Sequence, residues 1–243
     1  GHDHGKEPDK KSESKAAPEP PKVPAPPSDV AACLDAFRSA LPRATVQARE
    51  TLRRLGPAAL PELRAADLDS EPSALRAQLA WAYGILGDAS LSDSLLRKLE
   101  DTSPEVRGEA ARSVGRLKGS SARPKILDLL RDGTPPVREA AAGALGLLGE
   151  VDDVDPLAAL LAGASGQPGA VRAAAAEALG FLDCLSTRSA LVKALRDPDA
   201  RVRRAALSGL MRLTGGKDFC YDPEAPEADQ EGAFKAWESW LEG

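Results

Sequence analysis

A chain of 243 residues with 32 Lys and Arg against 37 Asp and Glu carries a formal charge of -5 and has a pI near 5.3. This balance argues against nucleic-acid binding, which needs a basic face and a high pI. A hydrophobic content of 42% with only 4% aromatic residues implies a core of small aliphatic side chains, and the wealth of Ala, Leu and Arg favours helix. No apolar run reaches the ~20 residues that span a bilayer.

Residues 1–29 show no apolar periodicity and are filled with Pro, Lys, Glu and Ala. Such a stretch buries too little apolar surface to offset its ordering entropy, so a disordered tail is expected, its Pro-rich end acting as an extended spacer. The composition resembles the tether behind the anchor of an exported bacterial lipoprotein, which implies a periplasmic or lipid-tethered location, with the cytoplasm as the alternative. The absent initiator Met reads as processing or a vector scar. Both histidines, His2 and His4, fall in this tail. They are read as mobile rather than as metal ligands, because durable sites collect three or four fixed donors.

Order is expected from Ser28 or Asp29, either of which can cap a helix over Val30–Leu41. A degenerate unit follows at Ala44–Ala66, keeping Leu52, Leu55, Gly56 and Leu60. Together residues 30–66 read as an N-terminal cap.

Residues 67–215 repeat regularly. The pairs Leu75-Arg76, Val106-Arg107, Val137-Arg138, Val171-Arg172 and Val202-Arg203 are spaced by 31, 31, 34 and 31 residues. Taking the first residue of each pair as an anchor, apolar residues recur four, eight and eleven positions later: Leu79, Tyr83 and Leu86 in the first unit, Ala110, Val114 and Leu117 in the second. These offsets describe one face of an α-helix. Nine positions past the anchor stand Gly84, Gly115, Gly146 and Gly180, with Met211 breaking the series. A mid-helix glycine costs about 1 kcal/mol relative to Ala, so its repetition predicts close approach of a neighbouring helix. A second helix in each unit is marked by Leu95 and Leu99, Ile126 and Leu130, Leu157 and Leu161, and Leu191 and Leu195. Pro, Gly, Asp and Ser separate the units, and the longer Gly163–Gly169 break predicts a bulging loop. One helix pair cannot bury its apolar face alone, so the units must stack.

The strings DTSPEVRGEAARSVGRL, DGTPPVREAAAGALGLL and DPDARVRRAALSGLMRL resemble the HEAT repeat in its short, phycocyanobilin-lyase-like form, over about residues 43–215. The resemblance implies an all-α, right-handed α-solenoid of about six helix-pair repeats with a C-terminal capping helix. It also implies a structural ladder between each turn Asp and the Arg six positions later, here Asp101 with Arg107, Asp132 with Arg138, and Asp197 with Arg203. Gly166 and Ser70 stand where the Asp preceding Arg172 and Arg76 belongs, so breaks are expected at those two arginines. Residues 216–243 are expected to cap the stack through a helix over Pro226–Leu241 with Phe234, Trp237 and Leu241 on one face. The KDFCYDPEAP stretch before it resembles the endings of bacterial HEAT-repeat proteins, and the Ala and Arg bias is also read as bacterial.

The cysteines Cys33, Cys184 and Cys220 form no disulfide framework and no CxxC pair. Cys184 and Cys220 end neighbouring repeats, which leaves a bridge open if their Cα atoms lie within about 7 Å.

Stacks of this kind line their concave side with the Arg-bearing helices. Positions six and ten past the anchor then form the candidate partner-binding surface, centred on Trp81, Ile85, Arg112, Arg116, Leu147 and Phe181. Trp and Arg are enriched at binding hot spots. The expected function is a scaffold or protein-interaction module, monomeric, holding a protein or peptide. No catalytic residue, cofactor or metal is expected: the repeats contain no histidine, which rules out Ser-His-Asp and Cys-His arrangements, and no phosphate loop occurs. A bilin-lyase-like, chromophore-handling role is an alternative implied by the resemblance alone. A HEAT-like nucleic-acid binder is a second, weakened by the thin basic content of the concave row.

Overall fold

Asp29 stands at the start of the first helix. Its carboxylate accepts the Ala32 N–H at 2.9 Å and caps α1 (Val30–Ser39), as an N-terminal aspartate does. The expected helix end at Leu41 moves back two residues, because Pro42 disfavours helical backbone at the residue before it; Ala40 turns left-handed and Pro42 opens α2. The computed structural model describes residues 28–67, 69, 71–87, 92–163 and 166–243. The expected tail and both histidines therefore lie outside the described residues, apart from Ser28 and Asp29.

The chain alternates between two rows of helices. One row holds α2 (Pro42–Leu55), α4 (Ser73–Leu86), α6 (Pro104–Arg116), α8 (Pro135–Leu148), α10 (Gly169–Leu179) and α12 (Ala200–Thr214). The other holds the shorter α3 (Leu60–Ala65), α5 (Ser92–Lys98), α7 (Arg123–Leu129), α9 (Val154–Leu161) and α11 (Leu185–Ala194). The final helix, α13 (Glu231–Glu242), packs beside α11 and so completes a sixth pair with α12. The fold is an all-α repeat stack, and its core lies between the two rows.

The anchor, +4 and +8 positions carry that core. Leu75, Val106, Val137, Val171 and Val202 are buried, as are Leu79, Ala110, Ala141, Ala175 and Ala206. The outer row contributes Leu95, Leu99, Ile126, Leu157, Leu191 and Leu195. The +11 leucines Leu117, Leu148 and Leu213 pack at the edge of this cluster and keep partial exposure.

The repeated glycines mark where backbones touch. A Cβ on Gly115 would stand 2.8 Å from the Ala144 Cα, and one on Gly146 would stand 2.7 Å from the Ala178 Cα. Gly84 meets Ser113, whose hydroxyl donates across the interface to the Ala80 carbonyl at 2.7 Å. Gly180 meets Gly209. Met211 breaks the glycine series because α12 is the last helix of its row and nothing in that row follows it. The other row is split by clefts of about 760 Å³, one between α7 and α9 and one between α9, α11 and Leu241. Helices of the Arg-bearing row thus touch backbone to backbone, and the side they turn to solvent corresponds to the expected inner face of the solenoid.

The turn aspartates tie successive repeats together. Arg107 reaches the carboxylate of Asp132, one turn further along, through Nε at 2.8 Å and Nη2 at 3.0 Å. Its Nη1 donates to the backbone carbonyl of Asp101 at 2.8 Å. Arg76 with Asp101 and Arg172 with Asp197 repeat the side-on pairing. This corrects the expected partners: the residues of each Asp-Arg pair six apart meet only through the Asp carbonyl, since a guanidinium that close in sequence folds back onto the turn backbone. The expected breaks at Arg76 and Arg172 are also corrected, because both find the aspartate of the following turn. The change falls at Arg138, whose next turn offers the Gln167 amide at 2.8 Å, and at Arg203, which donates to the Pro223 carbonyl at 2.7 Å.

The C-terminal residues close the last repeat. The expected helix over Pro226–Leu241 is a 3-10 turn at Glu227–Asp229 followed by α13. Trp237 is buried, edge-on to Phe219 at 4.7 Å and to Trp240 at 5.7 Å. The Tyr221 hydroxyl donates to the Leu195 carbonyl, and Arg196 stacks on Phe234 at 3.7 Å. All three cysteines are free thiols, so Cys184 and Cys220 are unbridged. Cys184 caps α11, its Sγ accepting the Thr187 N–H at 3.5 Å, and burial pushes the Cys33 thiol up to about 11.

Candidate functional site

The inner face is built by one register position. Ten residues past each anchor stand Ile85, Arg116, Leu147, Phe181 and Arg212. Ile85, Leu147 and Phe181 are 37%, 43% and 57% exposed, although each is large and apolar. They share a register, so the stack sets them in a row along α4, α8 and the turn that follows α10. Leu147 leans back toward α6: its Cδ1 would lie 3.2 Å from a Cβ placed on Gly115. Phe181 is covered on one side by the Arg212 guanidinium, 4.6 Å from the ring centre, a cation–π contact. Arg116 is exposed between Ile85 and Leu147. Exposed apolar residues are ordinary when scattered; their sharing one register position in three of the five regular repeats is what sets these apart.

The row six residues past the anchor behaves differently. Trp81 does not lie open to a partner. It is 4% exposed, because Arg49 and Arg53 of α2 lie 4.8 and 5.2 Å from its ring centroid. The cause is the degenerate first unit. Arg49 and Arg53 occupy the +5 and +9 positions, where later units carry Ala80, Ala111, Ala142 and Ala176 and the contact glycines. An arginine at the glycine position keeps α2 from closing on α4, and Trp81 fills the space. These two arginines escape a reading of the regular repeats. The signal that finds them is the replacement of Ala and Gly by Arg at fixed offsets.

Around Trp81 the charges are uneven. Arg49 donates from Nε to the Gln78 amide oxygen at 2.7 Å. Arg112 meets one oxygen of Glu109 at 3.2 Å, and the other Glu109 oxygen is buried without a partner among the described residues. Burial above all, then the charges of Arg53, Arg116 and Arg112, holds the Arg49 guanidinium below its ordinary value, against the pull of Glu109. Arg49 and Arg53 lie on Trp81 of α4, and α6, packed on the other side of α4, carries Arg112 and Arg116 at the +6 and +10 positions, so the four arginines share the N-terminal end of the inner face. Toward the C-terminal end the surface is mixed: Glu139 and Glu177 face Arg201 and Arg204 across a floor of Ala170, Ala173, Ala174 and Ala205. There Arg201 pairs with Asp199 at 2.7 Å and Arg204 pairs with Glu224.

No group of His, Cys, Asp and Glu able to hold a metal ion occurs among the described residues, and no helix there is long and apolar enough to cross a membrane. The face offers apolar side chains and guanidinium groups.

A family model for HEAT repeats matches residues 92–168 and 157–228, together more than half of the chain. No curated protein matches. Among solved structures, the complex of CpcE and CpcF of phycocyanin lyase from Nostoc sp. PCC7120 is similar at 26% identity and a TM-score of 0.54, over 82% of each chain. Human deoxyhypusine hydroxylase is similar at 20% identity and a TM-score of 0.37, over 76% of this chain and 96% of that one. An engineered protein is similar at 19% identity and a TM-score of 0.48, over 76% of this chain and 97% of that one.

Proposed function

The chain belongs to the HEAT-repeat family, and we propose that it is a scaffold module that holds a protein or peptide partner along its inner face. The single observation that carries this reading is the exposed row of Ile85, Leu147 and Phe181 at one register position, flanked by Arg116 and Arg212. Apolar residues placed in line offer successive side-chain sites to an extended or helical segment, and the arginines at the edge supply hydrogen-bond donors and steering charge. Curved solenoids use such surfaces for binding. The similarity to a phycocyanin lyase chain supports a protein partner, since that structure is a complex of CpcE and CpcF.

A photo-reactive amino acid placed at position 147 or 181 in the full chain, with position 185 on the other row as control, tests the reading in the cell that makes the protein. Cross-links to one protein from 147 and 181 and none from 185 are expected. Cross-links from 185 alone would overturn the placement. A lyase-type role is the second reading, and it stands on the same similarity; an absorbance change on mixing the protein with a linear tetrapyrrole would favour it.

A further inference from the structure

Four arginines gather at one end of the inner face, Arg49 and Arg53 from α2 and Arg112 and Arg116 from α6. The carboxylates beside them are Glu109, which meets Arg112 at 3.2 Å, and Glu50, which meets Arg53 at 3.5 Å from an exposed position. Arg116 makes no ion pair among the described residues. Elsewhere Arg76, Arg107, Arg172, Arg201 and Arg204 each meet a carboxylate, of Asp101, Asp132, Asp197, Asp199 and Glu224, and Arg138, Arg203 and Arg212, which meet none among the described residues, are spread over α8 and α12. In a chain of net charge -5, this under-neutralised spot concentrates positive potential beside the apolar row. Clefts lined by one sign of charge raise the local concentration of the opposite sign.

We propose that the inner face takes an acidic-then-apolar peptide segment, its carboxylates against Arg49, Arg53, Arg112 and Arg116 and its apolar side chains against Leu147 and Phe181. The inference rests on the scaffold reading above and names the chemistry of the partner. One feature favours a peptide over a nucleic acid: beyond Arg116 the face carries Leu147 and Phe181 together with Glu139 and Glu177, where a nucleic-acid groove would stay basic. The spacing also suits an extended chain. Successive helices of a row lie about 8–10 Å apart and an extended peptide advances ~3.3 Å per residue, so residues about three apart meet successive repeats.

The test is binding of a fluorescein-labelled peptide to the full chain by fluorescence anisotropy. The probe carries four Asp or Glu residues followed by Leu and Phe three positions apart. Its controls are the same peptide with Lys in place of every acidic residue, and an oligothymidylate of similar length. The acidic peptide should bind, and the lysine peptide should be weaker by about tenfold or more. Arg116→Gln, at an exposed position without an ion pair, should lower affinity severalfold without altering the helical circular dichroism. Arg49→Gln combined with Arg116→Gln should lower it by about tenfold or more, and added salt should weaken it further. Equal affinity for the acidic and lysine peptides, or oligothymidylate binding as tight as that of the peptide, would overturn the proposal. If Leu147→Ser with Phe181→Ser abolishes capture of the natural partner while the arginine variants leave it unchanged, the scaffold reading stands and the acidic partner falls.

Discussion

Arg107 and Asp132 are 25 residues apart in the chain and meet side-on, guanidinium to carboxylate, at 2.8 and 3.0 Å. The arginine is 18% and the aspartate 8% exposed at the side chain. Asp132 also accepts the Thr134 N–H at 2.8 Å, and Arg107 holds the Asp101 carbonyl. One pair thus fixes the turn of its own repeat and the turn of the next. Arg107→Gln leaves a largely buried carboxylate without its cation and should destabilise the chain by about 1–3 kcal/mol in urea unfolding. Lys125→Gln, at an exposed pair with Glu100, should cost under about 1 kcal/mol.

The same aspartates set an acid limit. The Arg76 guanidinium beside Asp101 holds its carboxyl below the usual range, and Arg201 holds that of Asp199 at about 2. A carboxylate that titrates lower in the folded state than in the unfolded chain takes up its proton preferentially on unfolding. Its contribution is complete above the ordinary carboxylate range and is lost as the pH falls through the folded value. Stability should therefore hold steady near neutrality and decline from about pH 4 toward about pH 2. Asp101→Asn should flatten that decline, a result read from urea midpoints at each pH.

The contact glycines separate two effects that usually travel together. Gly146→Ala places a methyl 2.7 Å from the Ala178 backbone, so α8 and α10 must part; a net loss of about 1–3 kcal/mol is expected even though Ala is the better helix former. Gly143→Ala, three residues earlier in the same helix with open space at its Cβ, should gain up to about 1 kcal/mol. Thermal melts of the two variants, moving in opposite directions, check the claim.

Trp237 tests the C-terminal seal. It is fully buried, and its indole N–H has no partner among the described residues. Trp237→Ala should cost about 3–5 kcal/mol. Trp237→Phe keeps most of the packing and removes the unpaired donor, so its urea midpoint should fall far less.

The stack was legible in the sequence because its physics is periodic. Anchors, +4 and +8 residues face the core in every unit, and the glycine cost repeats where backbones touch. What escaped depends on neighbours in space. Spacing puts Asp101 six residues from Arg107, but the arginine side chain is long enough to pass its own turn and reach the next, so the carboxylate partner lies outside the motif. Trp81 occupies a register position expected to face a partner and is nevertheless buried, because α2 carries Arg49 and Arg53 where a regular unit has Ala and Gly. Leu147 and Phe181 follow the register and are exposed on it. Their place beside a basic cluster comes from the degenerate unit, which a regular pattern does not describe.

The inner face as the site of partner binding is tested most directly by retention of the natural partner on three tagged full-length chains. These are the unaltered protein, the inner-face variant Leu147→Asp with Phe181→Asp, and the variant Leu185→Asp at a still more exposed residue of the other row. With all three showing the same helical signal, the partner should stay with the first and third and be lost from the second. A partner retained by the inner-face variant and lost only from Leu185→Asp would contradict the account.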